Sequence, residues 1–146
     1  MKWMLSVLAV LFPVAAFAAD FSMAEANLSS TYGVAFDHAT ADGQRQATGM
    51  GKAQMVRFIG PADEYLTAEA AVDLRPANLA ASRKFMVDVA RWMVPDKGWG
   101  DAERFIERGL ARLKTAEKAS AKIGGRSLTL ERSSDVMAKL TVGGGK

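Results

Sequence analysis

The sequence contains no cysteine and only one histidine, His38. Without cysteine the chain has no disulfide bonds, no thiolate metal ligands and no thiol nucleophile. One imidazole supplies too few of the nitrogen and sulfur ligands that zinc prefers. We therefore expect neither a metal nor a cofactor, and we expect the packing of apolar side chains to stabilise the fold.

Charge of one sign is also not in large excess. The chain has 19 lysines and arginines against 16 aspartates and glutamates, which gives a formal net charge of +3. An excess this small says little about partners. The distribution of the charges along the chain is therefore more informative than their sum.

The N-terminus has the three-part layout of a secretory signal. Lys2 precedes an apolar run at residues 3–14, and Ala16 and Ala18 occupy positions −3 and −1 of a cleavage site. The run is shorter than the roughly 20 residues of a spanning helix, and Pro13 interrupts it. We predict a cleaved signal peptide at 1–18, a single α+β domain at 19–142 and a flexible glycine-rich tail at 143–146.

This layout predicts an exported protein, either periplasmic or secreted. After signal cleavage we expect no stable membrane span, because the apolar run is removed with the leader. The compartment also argues against a nucleic acid partner. The remaining classes of partner for an exported protein are a small ligand and another envelope protein.

Alternating apolar and polar residues predict three strands in the first half of the chain. The first covers residues 28–36, and the turn Asp42-Gly43 leads into a second at 44–59, with Gly49 and Gly51 as a candidate bulge. The third covers 66–74. A helix that begins at Pro61 is the alternative for the segment 61–75, because proline is common at the first helical position.

Helical periodicity replaces the alternation after residue 76. Asn78 is the candidate cap of a helix that ends before Pro95. Asp101 is the candidate cap of a second helix, which we expect to continue to Gly124. A hairpin at 128–142 follows, with a turn at 133–135.

Together these segments predict an α+β fold. Its antiparallel sheet has about five strands, with two helices packed on one face in the order β-β-β-α-α-β-β.

Candidate catalytic groups are few. His38 lies beside Asp37 and Asp42, which favours the polar residues of a surface loop over a catalytic pair. The segment 49–52 lacks the spacing of a phosphate-binding loop. Glu64 and Glu69 are five residues apart, which places them on opposite faces of a strand.

Methionine sulfur is a possible copper ligand, but two methionines, Met86 and Met93, lie on the apolar side of the first predicted helix. Core packing is the favoured interpretation of both residues.

Candidate binding residues are the aromatic and basic side chains. Trp99 lies between two glycines, and we expect its aromatic ring to contact a ligand or to pack against the protein. The other candidate ligand-binding residues are Trp92, Tyr32 and Arg57. The outer side of the second predicted helix carries a basic face of Arg104, Arg108, Arg112, Lys114, Lys118 and Lys122.

These features favour a non-catalytic, exported binding or accessory protein of the cell envelope. Its ligand would contact the loop at Trp99 or a groove between the helices and the sheet. One alternative is a small envelope hydrolase that uses His38 with Asp37. Another is a protein-protein interaction domain, which predicts an exposed apolar patch and no cleft.

Overall fold

A computed structural model describes residues 21–61, 66–115 and 117–143. The described helices are α1 (Phe21–Tyr32), α2 (Leu79–Met93), a 3-10 turn (Asp96–Gly98) and α3 (Trp99–Arg112). The described strands are β1 (Ala35–Ala41), β2 (Gln44–Met50), β3 (Gln54–Pro61), β4 (Thr67–Asp73), β5 (Lys118–Ile123), β6 (Arg126–Arg132) and β7 (Met137–Gly143). The predicted signal peptide lies outside the described residues, and so do residues 144–146 of the predicted tail.

All seven described strands form one antiparallel sheet in the order β1-β2-β3-β4-β7-β6-β5. Neighbours along the chain pair through short turns, which favour antiparallel pairing. Among the described strands, the one pair that is adjacent in the sheet without being consecutive along the chain is β4 and β7. The connection from β4 to β5 contains α2 and α3. The predicted α+β class and antiparallel sheet are confirmed, but the described residues hold seven strands and three helices instead of five and two.

The helices cover one face of the sheet, and the core lies between the two layers. Alternate residues of each central strand point into it, for example Val56 and Phe58 of β3 and Leu140 of β7, all fully buried. Met86 and Met93 of α2 are also buried there, as their positions on the apolar side predicted. The opposite sheet face carries polar side chains such as Arg57 and Glu69 together with half-buried apolar ones such as Met55 and Ile59.

The first predicted strand is partly wrong, because residues 21–32 form helix α1 and β1 begins only at Ala35. Helix α1 fully buries only Ala24 and Leu28, so its apolar stripe is too thin to show a helical period. The helix ends at Tyr32, and Gly33 follows it with a φ of +69°, a left-handed conformation that glycine adopts without steric cost.

The second predicted strand is two strands, β2 and β3. The chain reverses after Gly51, whose N–H donates to the Gln54 carbonyl at 2.9 Å. Gly49 is no bulge: it lies in regular register opposite Phe36, and a Cβ there would be 2.8 Å from that ring. The third predicted strand is confirmed as β4, and the alternative helix from Pro61 is wrong, because Pro61 is the last residue of β3 and residues 67–73 form a strand. Residues 62–65 of that segment lie outside the described residues.

The predicted helix α2 is confirmed, but the predicted N-cap interactions of α2 and α3 are not. Asn78 occupies the N-cap position without a side-chain cap bond, and its amide donates instead to Asp73 Oδ2 at 3.3 Å. The guanidinium of Arg75 also binds this carboxylate and lowers the pKa of Asp73 to about 2. Asp101 is not a cap, because α3 begins at Trp99 with Gly98 as its N-cap.

The second predicted helix is too long, since α3 ends at Arg112 and residues 118–123 form strand β5. Gly124 and Gly125 do not stop a helix but form the turn from β5 to β6, with φ of +60° and +78°. The predicted C-terminal hairpin is confirmed as β6 and β7, except that Val136 belongs to the turn and is exposed.

Candidate functional site: the groove between α3 and β5

Helix α3 packs closely against the sheet at Gly109. A Cβ at this position would lie 2.5 Å from Cδ2 of Leu130, a buried residue of β6. The missing side chain therefore lets the helix axis approach β6. Because α3 lies close to β6, its outer flank extends over β5, the last strand of the described sheet.

A groove of about 390 Å³ lies between this flank and β5. Its floor exists because β5 presents small side chains, Ala119 and Ala121, toward the helix, where larger residues would fill the space. Phe105 and Leu113 of α3 and Ile123 of β5 complete an apolar lining. We call this feature the α3–β5 groove.

Three arginines lie along the helical wall of the α3–β5 groove, Arg104, Arg108 and Arg112. Their spacing of four residues places them on one side of the helix. Arg104 forms an ion pair with Asp101, which also lines the groove. Arg108 and Arg112 have no ion-pair or hydrogen-bond partner among the described residues. The groove therefore combines an apolar floor with two available guanidinium groups.

The predicted basic face is not continuous, because its three lysines lie off α3. Lys114 follows the helix, and Lys118 and Lys122 are on β5. The alternation along β5 places both lysines on the sheet face opposite the groove, since Ala119 and Ala121 face the helix. Lys118 pairs there with Glu131 at 3.7 Å. Only the three arginines of the predicted face belong to the groove.

The two candidate tryptophans lie near the end of α2 and the start of α3. The Trp99 indole N–H donates to the Val94 carbonyl at 3.1 Å, and the Arg91 guanidinium lies 5.9 Å from the ring centroid. Trp99 is 41% exposed. Trp92 is half-buried on α2. Neither tryptophan lines the α3–β5 groove.

The other two candidates lie elsewhere in the fold. Tyr32 ends α1, and its hydroxyl donates to Asp88 of α2. Arg57 lies on the opposite sheet face, where it pairs with Glu69 of β4 at 3.2 Å. The structure therefore does not bring the candidate aromatic and basic residues into one site.

The proposed pairing of His38 with Asp37 is replaced by another contact. His38 Nε2 lies 2.5 Å from Glu25 Oε1 of α1, while the Asp37 carboxylate accepts a hydrogen bond from the His38 backbone N–H at 3.1 Å. Adjacent side chains of β1 point to opposite sheet faces, which separates the Asp37 carboxylate from the imidazole. The imidazole contact joins α1 to β1.

Other motifs also take structural positions. Gly49 lies in β2, and strand β3 follows the turn at 51–53 where a phosphate-binding loop would need a helix. Glu64, one half of the candidate carboxylate pair, lies outside the described residues. The described part of the chain contains no group of three or more metal-binding side chains. None of its helices is long and apolar enough to cross a membrane.

Comparison of the chain with models of protein families, with curated proteins and with solved structures finds no match. The chemistry of the groove is therefore the basis for a functional proposal. Sequence reasoning predicted the helix that contains Phe105 and Leu113 but missed the floor residues Ala119 and Ala121. The only sequence signal for these two floor residues was the short alternation of small and polar residues at 118–123, and this composition also fits an alanine-rich helix.

Proposed function

We propose that this protein is an exported, non-catalytic binding protein of the cell envelope that holds an anionic ligand with apolar groups in the α3–β5 groove. The observation that carries the proposal is the pair Arg108 and Arg112, which lack partners among the described residues and lie above an apolar floor. Guanidinium groups bind carboxylates and phosphates through paired hydrogen bonds. The apolar lining contributes by removing ligand surface from water.

The dimensions of the groove support a small ligand or a short segment of a larger one. Its volume of about 390 Å³ falls in the range of ligand clefts, roughly 300–1,000 Å³. A few polar groups around a mainly apolar lining are also typical of such clefts. The proposal of export is supported by the layout of residues 1–18.

The test uses the mature protein, purified from the exported fraction of its host. We expect the intact mass of this protein to correspond to a chain that begins at Ala19. The probe is anilinonaphthalene sulfonate, an aromatic anion whose fluorescence increases in apolar sites. We expect saturable binding that weakens at least about tenfold in the double variant Arg108→Gln, Arg112→Gln, because two charge-assisted contacts are lost.

The matched control is Arg83→Gln, an exposed arginine of α2 outside the groove. This variant should bind the probe as the unchanged protein does. The neutral analogue N-phenylnaphthylamine should bind more weakly than the sulfonate and should respond little to the double variant. Equal binding of the sulfonate by the double variant and the unchanged protein would contradict the proposal.

A further inference from the structure

The α3–β5 groove lies at an edge of the sheet. The order of the described strands leaves the outer backbone edge of β5 without a strand partner in the described ranges 21–61, 66–115 and 117–143. An exposed edge offers unpaired N–H and C=O groups at regular intervals. An extended peptide can therefore pair with it as an additional strand.

The arginines of α3 are spaced to match such a strand. Residues four apart on a helix are separated by about 6.0 Å along its axis. Residues two apart on a strand are separated by about 6.7 Å, and they point to the same face. A peptide paired with β5 would thus direct every second side chain toward the groove, in approximate register with Arg108 and Arg112.

The distribution of charge also distinguishes a peptide from a single-chain lipid. A lipid anion has one charged end, so its site needs cations at one end of an apolar cavity. Here arginines occur at three successive turns of α3, along the length of the groove. At the first turn Asp101 already pairs with Arg104, which leaves the two following turns for ligand carboxylates.

We infer that the ligand of the α3–β5 groove is an extended acidic peptide segment, which pairs with the edge of β5 and directs alternate acidic side chains to Arg108 and Arg112. The inference rests on the proposed function, since it names the ligand class of the same groove. The small floor residues Ala119 and Ala121 leave room above β5 for the acidic side chains that extend from the paired strand toward the helix.

Fluorescence anisotropy with a labelled heptapeptide of alternating valine and glutamate tests this inference. We expect saturable binding that displaces anilinonaphthalene sulfonate and weakens at least about tenfold in the Arg108→Gln, Arg112→Gln variant but not in Arg83→Gln. A peptide of the same composition with its glutamates in one block should bind at least about tenfold more weakly, because its charges do not match the arginine spacing.

Backbone methylation separates strand pairing from simple charge attraction. Alternate amides of a paired strand face its neighbour, so N-methylation of one alternate set should abolish binding while methylation of the other set preserves it. Equal binding of both methylated peptides, or of the alternating and block peptides, would overturn the inference.

Two further results separate this inference from the proposed function. If the sulfonate probe binds and is displaced by palmitate but not by the alternating peptide, the ligand is a lipid and the inference of a peptide fails alone. If the sulfonate probe does not bind the groove, the proposed function fails as well. Circular dichroism spectra of all variants should superimpose on that of the unchanged protein, which shows that binding losses are local.

Discussion

Single side chains attach helix α1 to the rest of the molecule. The Tyr32 hydroxyl donates to Asp88, a residue 56 positions away, and the Tyr32 ring meets Phe85 edge-on at a centroid distance of 4.9 Å. Burial raises the pKa of Tyr32 above its ordinary value, and the hydrogen bond and negative charge of Asp88 raise it further. The positive charge of Arg91 lowers it in part.

The substitution Tyr32→Phe should lower the free energy of unfolding by about 1 kcal/mol near neutral pH, because Asp88 loses a donor in a partly solvated position. The raised pKa predicts a second effect. Above about pH 10 the tyrosine ionises in the unfolded chain but not in the folded protein, so its contribution to stability falls as the pH rises.

Urea unfolding of both proteins at about pH 8 and about pH 10.5 measures this effect, because the pH range spans the ordinary tyrosine pKa. We expect the stability difference between the unchanged protein and the variant to shrink at the higher pH. A difference that stays constant would show that Tyr32 ionises equally in both states.

At the scale of the element, the position of α3 depends on Gly109. Glycine in a helix interior costs about 1 kcal/mol relative to alanine, so propensity alone predicts that Gly109→Ala is stabilising. Packing predicts the opposite, because the new Cβ would be 2.5 Å from Cδ2 of Leu130, which is fully buried. Overpacking of this kind costs about 1–3 kcal/mol. The packing cost should therefore exceed the gain in propensity.

We expect Gly109→Ala to lower the free energy of unfolding by about 1 kcal/mol as the net of these effects. In the background Leu130→Val, which lacks the contacting Cδ2 methyl group, the same change should cost less or become stabilising. The control Gly100→Ala meets only the end of Arg104 at 3.6 Å and should be neutral or stabilising. Additive effects of the changes at 109 and 130 in thermal unfolding would contradict this packing argument.

Elements with a strong periodic pattern were predictable, and weak ones were not. Helix α2 places seven buried residues on one side, and β6 and β7 alternate regularly. Helix α1 and strand β5 have short or faint patterns, because α1 covers only one margin of the core and β5 is an edge strand. Their local sequences therefore contain less information about burial.

At the scale of the whole molecule, the pairing of β4 with β7 unites two antiparallel units. Strands β1 to β4 form one unit and β5 to β7 the other, and the register aligns Ala70 with Leu140. One continuous core of buried residues extends beneath both units. We therefore expect the described sheet to unfold in a single transition.

Leu140→Ala tests this cooperativity, since Leu140 is fully buried between Ala70 and Leu130 in the register. We expect a loss of about 2–5 kcal/mol. The same loss should be seen by tryptophan fluorescence, which reports on the helices, and by far-ultraviolet circular dichroism. The exposed Val136 provides a control: Val136→Ala should change stability by less than about 0.5 kcal/mol. Two separate transitions would show that the units fold independently.

The sequence by itself determined the α+β class, the antiparallel pairing, most of the central elements and the amphipathic character of α3. These features depend on local periodicity and short connections, which a single chain segment contains. Only the tertiary structure decided that residues 118–123 form an edge strand, that the predicted basic face divides between two sheet faces, and that Ala119 and Ala121 form a groove floor beneath Arg108 and Arg112. These features depend on contacts between segments distant in the chain, and a small residue creates a groove only where its neighbours leave the space unfilled.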